Sequence, residues 1–316
     1  MVSHFFSGQV PSINPSTFSI SGVVSTGAGS GLSQSILINS VRSTVYLLQT
    51  CTNATNTAMT FDTTVFPVVN VLNLDDLSLQ SRQRITIDTA ANPASISFDA
   101  AIFANGDVIY VIHAGSDNRS VIDLNTNQAI AIIDVGSNLR GIAASPDGSQ
   151  LFINNTLDGT LTFVDARLLE VSDTIQITDI PLDAELLQGK KIFNSADSPI
   201  LSNDNWISCA ACHFDGGADA RTWLGFPDRP RNTPELFGVG ETLPIHWFGD
   251  LDELADVELT IRDIQFGTGL VPGDAHDSLA EPHAGLSADL DALVAYMDSF
   301  GSTAFPVLCR HASGGK

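Results

Sequence analysis

The chain has 316 residues, of which 43 % are apolar and 16 % are charged, and Asp and Glu outnumber Lys and Arg by 36 to 14. The net charge of −22 repels nucleic acids and anionic lipids, so we exclude DNA and RNA binding and favour basic protein partners or solubility in a salty medium. The length is sufficient for two domains, and no run of about 18 apolar residues predicts a membrane span.

The first region, residues 1–40, is rich in Ser, Gly and Thr and predicts a loop-rich arm with one or two short strands. Its opening residues, MVSHFFSGQVPSINPSTF, contain neither the basic nor the apolar segment of a secretory signal. We therefore expect that a signal has already been removed or that the sequence is not the whole gene product.

The second region, residues 41–181, alternates short β-rich runs with Asp, Asn and Gly, and it contains a repeat. One copy covers 105–136 and the next covers 147–178. At a constant offset of 42 residues the copies have matching residue types: Gly106 and Gly148, Tyr110 and Phe152, Asp123 and Asp165. A weaker earlier copy places Asp75 at the position of Asp123. A period of this length, with alternating strands between turns, is typical of a propeller blade.

These repeats resemble the YVTN-type β-propeller family, which pairs a "PDG…LYV" hairpin with a "V-I-D" strand. The resemblance implies an N-terminal β-propeller, partial or small, of about three to four blades. An ordinary β-sandwich with hairpins of similar length is the alternative. Because closed propellers usually have about 4–8 blades, we expect a very small ring, or one that another chain closes or covers.

The third region, residues 182–303, has two helical patterns on either side of a mostly irregular segment. The first follows Asp183, an N-cap candidate, and the second lies between Ser287 and Gly301. The second has an apolar stripe of Leu290, Leu293, Val294 and Met297. This order, with a CxxCH motif between the helices, resembles a class I cytochrome c domain. We therefore predict a mainly α domain over 182–303, followed by a tail over 304–316.

The motif lies in the segment WISCAACHFDGG, where Cys209 and Cys212 are followed at once by His213. Two thiols at this spacing match the two vinyl groups of haem, and the adjacent imidazole suits the proximal position of the iron. A zinc site would require four ligands, and no second Cys pair exists. A thioredoxin-like pair would open a helix in a βαβ unit, which is not visible here. The sequence thus predicts one covalently attached haem c.

The sixth iron ligand has several candidates. The chain has only Met1, Met59 and Met297; Met297 falls on an apolar helix stripe, so a histidine is the better candidate. The stretch from the motif to residue 254 resembles the bacterial di-haem cytochrome c peroxidase and MauG superfamily. The matching residues are Arg231, Asn232, Thr233, Pro234 and Leu236, then Thr242, Pro244 and Gly249. His246 falls where that superfamily has its axial methionine, so we expect His246 as distal ligand; a surface or second-shell histidine beside Trp247 is the alternative.

The remaining polar and aromatic candidates have two interpretations each. Arg231 belongs to a basic patch after the motif and suits an anionic haem propionate, or it is an exposed loop arginine. Trp247 packs on the porphyrin or is simply buried in the hydrophobic core. We expect His276 and His283 to be solvated and His113 to be structural. If Cys209 and Cys212 bind haem, Cys51 and Cys309 form a disulfide or remain separate thiols.

These features predict a secreted c-type cytochrome that transfers single electrons through a bis-histidine haem, with the β-region as a docking or assembly platform. A haem enzyme with a displaceable distal ligand, or a propeller binding module, is the alternative. The superfamily's peroxidases use two haems and this chain has one CxxCH, so peroxide turnover does not carry over. We expect a periplasmic or extracellular location, redox partner proteins, and a homo-oligomer, a polymer or an additional subunit at the propeller edges.

Overall fold

The computed structural model describes residues 1–27, 29–58, 60, 63–87, 94–226 and 230–301. Some positions named above lie outside the described residues: Met59, Cys309 and the tail 304–316.

The described residues are β-rich and begin with a hairpin and three four-stranded antiparallel sheets. The hairpin pairs β1 (Gln9–Ile13) with β2 (Ile20–Ser25). Sheet 1 contains β3 (Ser30–Asn39), β4 (Thr44–Thr52), β5 (Val65–Asn73) and β6 (Ile85–Thr86). Sheet 2 contains β7 (Ser97–Ile102), β8 (Val108–His113), β9 (Asn118–Asp123) and β10 (Gln128–Asp134). Sheet 3 contains β11 (Leu139–Ala144), β12 (Gln150–Asn155), β13 (Thr160–Asp165) and β14 (Glu170–Gln176).

The turn residues of the repeat occupy equivalent places in sheets 2 and 3. Gly106 and Gly148 both have positive φ, at 77° and 70°, which a glycine adopts without a steric penalty. Asp123 and Asp165 end β9 and β13, and each carboxylate accepts the backbone N–H two residues later. In sheet 1 it is Asn73, at the end of β5, that accepts such an N–H, from Asp75, so the earlier copy aligns two residues before the position that the sequence indicates.

Two apolar cores hold the sheets together. Side chains of β4, β5, β8 and β9 form the core between sheets 1 and 2, and Val69, Ile109 and Ile122 are fully buried there. A second core joins sheets 2 and 3. The hydroxyl of Tyr110 in sheet 2 also donates to the Ala166 carbonyl of sheet 3 at 3.1 Å. Because alternate residues of a strand face opposite sides, a central sheet with a core on each face shows near-continuous apolar runs such as VIYVI.

The prediction of a β-propeller is wrong. The described residues contain no closed barrel or propeller; the first strands β3, β7 and β11 bring three sheets side by side without a ring. Three blade-like sheets are fewer than the number with which propellers usually close. The sequence repeat reflects the antiparallel meander within each sheet, and such a meander can form in sheets that pack side by side without closing into a ring.

The prediction of a mainly α class I cytochrome c domain over 182–303 is also wrong. The described residues there contain four short helices: α1 (Ala184–Asn194), α2 (Cys209–Cys212), α3 (Val257–Asp263) and α4 (Ala288–Asp298). A two-residue pair, β15 (Thr222–Trp223) with β16 (Arg231–Asn232), interrupts the loops. Helix forms where an N-cap and an apolar stripe coincide, at α1 and α4, and the long intervals lack that pattern.

The two longer helices pack against each other, and the C-terminal region packs on the sheets. Asp183 caps α1 by accepting the N–H of Leu186, and Ser287 caps α4 in the same way. A separate apolar cluster joins Val65 of sheet 1 to Trp206, Ile207, Ala211 and Trp223. This cluster places the turn that carries the CxxCH motif directly against sheet 1. None of the helices in the described part of the chain has the length and apolar character that a bilayer crossing requires.

Candidate functional site

A cavity of about 430 Å³ lies in the C-terminal region and is the meeting point of the six site residues that the sequence predicts. Its wall includes Cys209, Cys212, His213, Arg231, His246 and Trp247. Trp223, on β15, and Met297, on α4, belong to the same wall. Residues that are far apart in sequence, from Phe193 to Met297, therefore face one space, and most of that space has apolar walls.

The single turn α2 positions the two thiols. Ser208 precedes it with an extended backbone, and the N–H of His213 donates to the Cys209 carbonyl at 2.8 Å, which closes the turn. In a helical turn, residues three and four apart share one face, so Cys209, Cys212 and His213 are presented together. Ala210 and Ala211 are buried against the neighbouring segments and anchor the turn.

The surroundings of His213 keep its imidazole neutral. Its Nδ1 donates to the Pro234 carbonyl at 2.9 Å, so Nε2 carries the lone pair. Burial lowers the pKa of His213 to about 4, although carbonyl hydrogen bonds at Pro234 and Gly217 oppose the shift. At neutral pH this histidine is thus an uncharged imidazole in the tautomer that binds a metal through Nε2.

Both thiols of the motif are kept in their protonated form. Burial raises the pKa of Cys209 to about 12, and burial also raises the pKa of Cys212 well above its usual range, with smaller contributions from Asp219 and Cys209. Nucleophilic and redox-active cysteines have lowered pKa values. The environment therefore argues against a thioredoxin-like redox pair.

His246 occupies a turn on another part of the wall. Its φ is +64°, in the left-handed region, and about 44 % of its side chain is exposed. Nδ1 lies 3.3 Å from a carboxylate oxygen of Asp250, and Nε2 lies 3.5 Å from the hydroxyl of Thr260. The approach of Asp250 is not a hydrogen bond, because its Oδ1 is buried without a hydrogen-bond partner among the described residues.

Arg231 and the tryptophans complete the wall. The guanidinium of Arg231 lies 4.3 Å from the centre of the Phe248 ring, and its Nη2 is buried without a hydrogen-bond partner among the described residues. Trp223 is buried and donates to Asp219, whereas Trp247 is 61 % exposed and donates to the Asn232 carbonyl. Trp206 is buried in the cluster against sheet 1 and does not line the cavity.

The other histidines have different surroundings. His113 is fully buried between the hydroxyls of Ser97 and Ser120, which occupy both ring nitrogens, as a structural histidine requires. His276 is exposed. The prediction that His283 is solvated is wrong, because the loop that carries it folds over the start of α3 and buries the ring completely.

His283 belongs to the group that, among the described residues, has the geometry of a metal-ion site. Donor atoms of Glu253, Asp256 and His283 lie within 4.8 Å of one another. His283 Nδ1 donates to Asp256 at 2.8 Å, and Glu253 accepts the backbone N–H groups of His283 and Ala284. These hydrogen bonds fix the loop, and they leave His283 Nε2 buried without a hydrogen-bond partner among the described residues.

Sequence reasoning missed several neighbours of the site residues. Asp250 stands four residues after His246, and this i, i+4 spacing was the available signal. The Pro234 carbonyl that orients His213, and the Phe248 ring under Arg231, have no signal in the sequence because only the folded loops bring them into place. Cys51 carries a free thiol next to Arg84. Cys309, with which Cys51 could form a disulfide, lies outside the described residues.

Comparison with known proteins leaves the family open. No family model matches this chain, and no curated protein matches it. Among solved structures, the hydrazine synthase of Kuenenia stuttgartiensis is similar with a TM-score of 0.43 and 12 % sequence identity, over 50 % of this chain and 51 % of that one. The chain thus covers about half of the length of that structure, and a likeness at this level carries no argument about function.

Proposed function

We propose that this protein is a c-type haem protein that transfers single electrons. One haem would be joined by thioethers to Cys209 and Cys212, with His213 and His246 as the residues that hold the iron. The observation that supports this proposal is that one cavity has all four side chains in its wall. When bound, haem supplies an iron centre that accepts and releases one electron.

The residues of the cavity fit such a group in size and chemistry. A volume of about 430 Å³ lies in the range of cofactor sites, and its walls are mostly apolar. His213 is neutral at physiological pH and needs no deprotonation to serve as a ligand. The buried, unpartnered Nη2 of Arg231 suits an anionic carboxylate such as a propionate. Trp247 adds an aromatic ring to the lining.

The location and the partners follow from the same proposal. Covalent haem attachment takes place outside the bacterial cytoplasm, so the protein would be periplasmic or extracellular. With a net charge of −22, its redox partners would present basic surfaces, and their association would slow as salt is added.

The first experiment is a pyridine haemochrome assay with the intact mass of the full chain, made in a host that matures c-type cytochromes. We expect one covalently bound haem per chain. Replacing Cys209 and Cys212 together by Ala should abolish covalent attachment, whereas the control Cys51→Ala should retain it. A colourless protein, or one that contains zinc at the motif, would reject the proposal.

A haem enzyme is the second candidate, and the position of His246 is the observation that favours it. This histidine is half exposed on a turn, and the contact with Asp250 at 3.3 Å is long for a hydrogen bond that fixes a ligand. Carbon monoxide and cyanide distinguish the two functions. Slow or absent binding, with a low-spin spectrum, supports electron transfer; rapid binding supports an enzyme. His246→Ala should make binding rapid, and the exposed His276→Ala should not.

A further inference from the structure

The distal part of the β1–β2 hairpin extends away from the rest of the molecule. Every residue from 13 to 23 is exposed, and four of them are large and apolar: Ile13 at 40 %, Phe18 at 86 %, Ile20 at 64 % and Val23 at 56 %. A two-stranded hairpin by itself is marginally stable in water. An exposed apolar cluster on such a hairpin indicates a surface that becomes covered by a partner.

The hairpin has one open edge. On the outer side of β1, the carbonyls of Gln9 and Pro11 accept the N–H groups of His4 and Val2. In contrast, β2 pairs only with β1 among the described strands, so the backbone groups on its outer side face solvent. An open edge of this kind is a template for pairing with another strand.

The charge distribution selects the partner. Residues 1–41 contain no Asp, Glu, Lys or Arg, although the chain has a net charge of −22. Two copies of this chain therefore repel each other through their acidic surfaces elsewhere. The hairpin is a surface on which two copies can meet without bringing like charges together. A basic partner, in contrast, would find no carboxylate on the hairpin to pair with.

We propose that β2 pairs with β2 of a second copy, so that two hairpins form one antiparallel four-stranded sheet about a two-fold axis. In such an interface both copies bury the same surface, and Val23 and Ile20 belong to that surface. Pairing of β2 with β14 of the next copy would instead give an open polymer. It would desolvate Glu170 and Asp173 against a hairpin that offers no cation, which is unfavourable. The proposal does not depend on the haem.

The test is light scattering coupled to gel filtration of the full chain, over about a hundredfold range of concentration at moderate salt. We expect a mass of twice the 33.5 kDa of one chain, plus any cofactor. Val23→Glu places like charges against each other across the axis and should weaken association by about tenfold or more. The matched control is Ile175→Glu, on β14, which changes an equally apolar exposed strand residue and should leave the dimer unchanged.

Ile20→Glu is a second variant at the same edge and should act in the same way, and circular dichroism checks that both variants are folded. A wild-type monomer at every concentration would overturn the proposal. An open series of larger species would do so as well, as would a dimer that Val23→Glu leaves intact or that Ile175→Glu dissociates.

Discussion

Gly189 of α1 lies directly against α4. A Cβ at this position would overlap the carbonyl of Ala292 and crowd Tyr296. Because the obstacle is helix backbone, the two helices must separate to accept even one methyl group. We expect Gly189→Ala to lower the free energy of unfolding by about 1–3 kcal/mol, which urea denaturation measures.

The matched control for Gly189→Ala is Gly141→Ala, on β11. A Cβ there meets no atom closer than 3.7 Å, and its φ is not in the left-handed region. Its effect should lie within about 1 kcal/mol of zero. Equal losses in both variants would contradict the close helix contact.

His113 should make stability depend on pH. Burial lowers the pKa of His113 from its ordinary 6.5 to about 3 in the folded protein. Below pH 6.5 the unfolded chain therefore binds a proton that the folded chain does not bind until pH is near 3, and stability is lost as pH falls through this window. Replacing His113 by Asn should reduce this loss, by at most about 1.4 kcal/mol per pH unit.

The comparison of wild type with His113→Asn isolates this histidine. Asp117 acts in the opposite sense, because burial raises its pKa from 3.8 to about 7 and the folded protein then binds a proton first as pH falls. That contribution is present in both proteins and cancels in their difference. Urea midpoints at pH 7 and pH 4.5 provide the measurement. The control His276→Asn, at an exposed position, should show the wild-type difference in stability between the two pH values.

The sequence predicts the site residues to different degrees. Cys209, Cys212 and His213 are adjacent, and one turn of helix brings them together, so local spacing is sufficient. His246 lies 33 residues after His213, and only a resemblance indicated it before the folded loops brought both to one cavity. The burial of His283 could not be predicted. An irregular loop brings His283 to its partners Glu253 and Asp256, and no repeating pattern in the sequence indicates the course of that loop.

At the level of elements, helix α1 depends on its first residue. The Asp183 carboxylate accepts the N–H of Leu186 at 2.9 Å and stands at the positive end of the helix dipole. We expect Asp183→Ala to destabilise the protein by about 1 kcal/mol, which thermal unfolding measures. Asp183→Asn, which retains an acceptor, should lose less. Equal losses in the two variants would show that charge, and not capping, is what α1 requires.

Strands were easier to predict than the arrangement of sheets. Alternating apolar residues between Asp, Asn and Gly turns specify each meander, and β8–β10 and β12–β14 fall within the two repeat copies. Closure into a ring depends on the angle and number of packed sheets, which a local repeat does not encode. The mainly α domain over 182–303 was expected from a resemblance in the order of two capped helices around the motif, α1 and α4, and that order does not determine the structure of the long segment between them.

Considered as a whole molecule, the β-sheets and the C-terminal region are connected by contacts of several kinds. Arg140 of sheet 3 pairs with Asp215 at 2.9 Å, and Lys191 of α1 pairs with Asp158 at 2.7 Å. The backbone of Leu224 donates to the Ala54 carbonyl. Partly exposed ion pairs contribute little, so the apolar contact with sheet 1 carries most of the coupling. We therefore expect the two regions to unfold together.

Val65 tests this coupling because it is the sheet 1 member of the cluster behind the CxxCH turn, and only 6 % of it is exposed. Val65→Ala leaves a gap against Trp206 and Trp223 and should lower the free energy of unfolding by about 2 kcal/mol.

Urea unfolding is followed simultaneously by far-UV circular dichroism, which reports the sheets, and by tryptophan fluorescence, which reports the C-terminal region because all three Trp lie there. Both midpoints should shift together by the same amount. The exposed Val171→Ala should change the free energy of unfolding by no more than about 0.5 kcal/mol with either probe. If the circular dichroism midpoint moved alone, the sheets and the cavity region would be independent units, and the wall that holds Cys209 and Cys212 would not need sheet 1 for its shape.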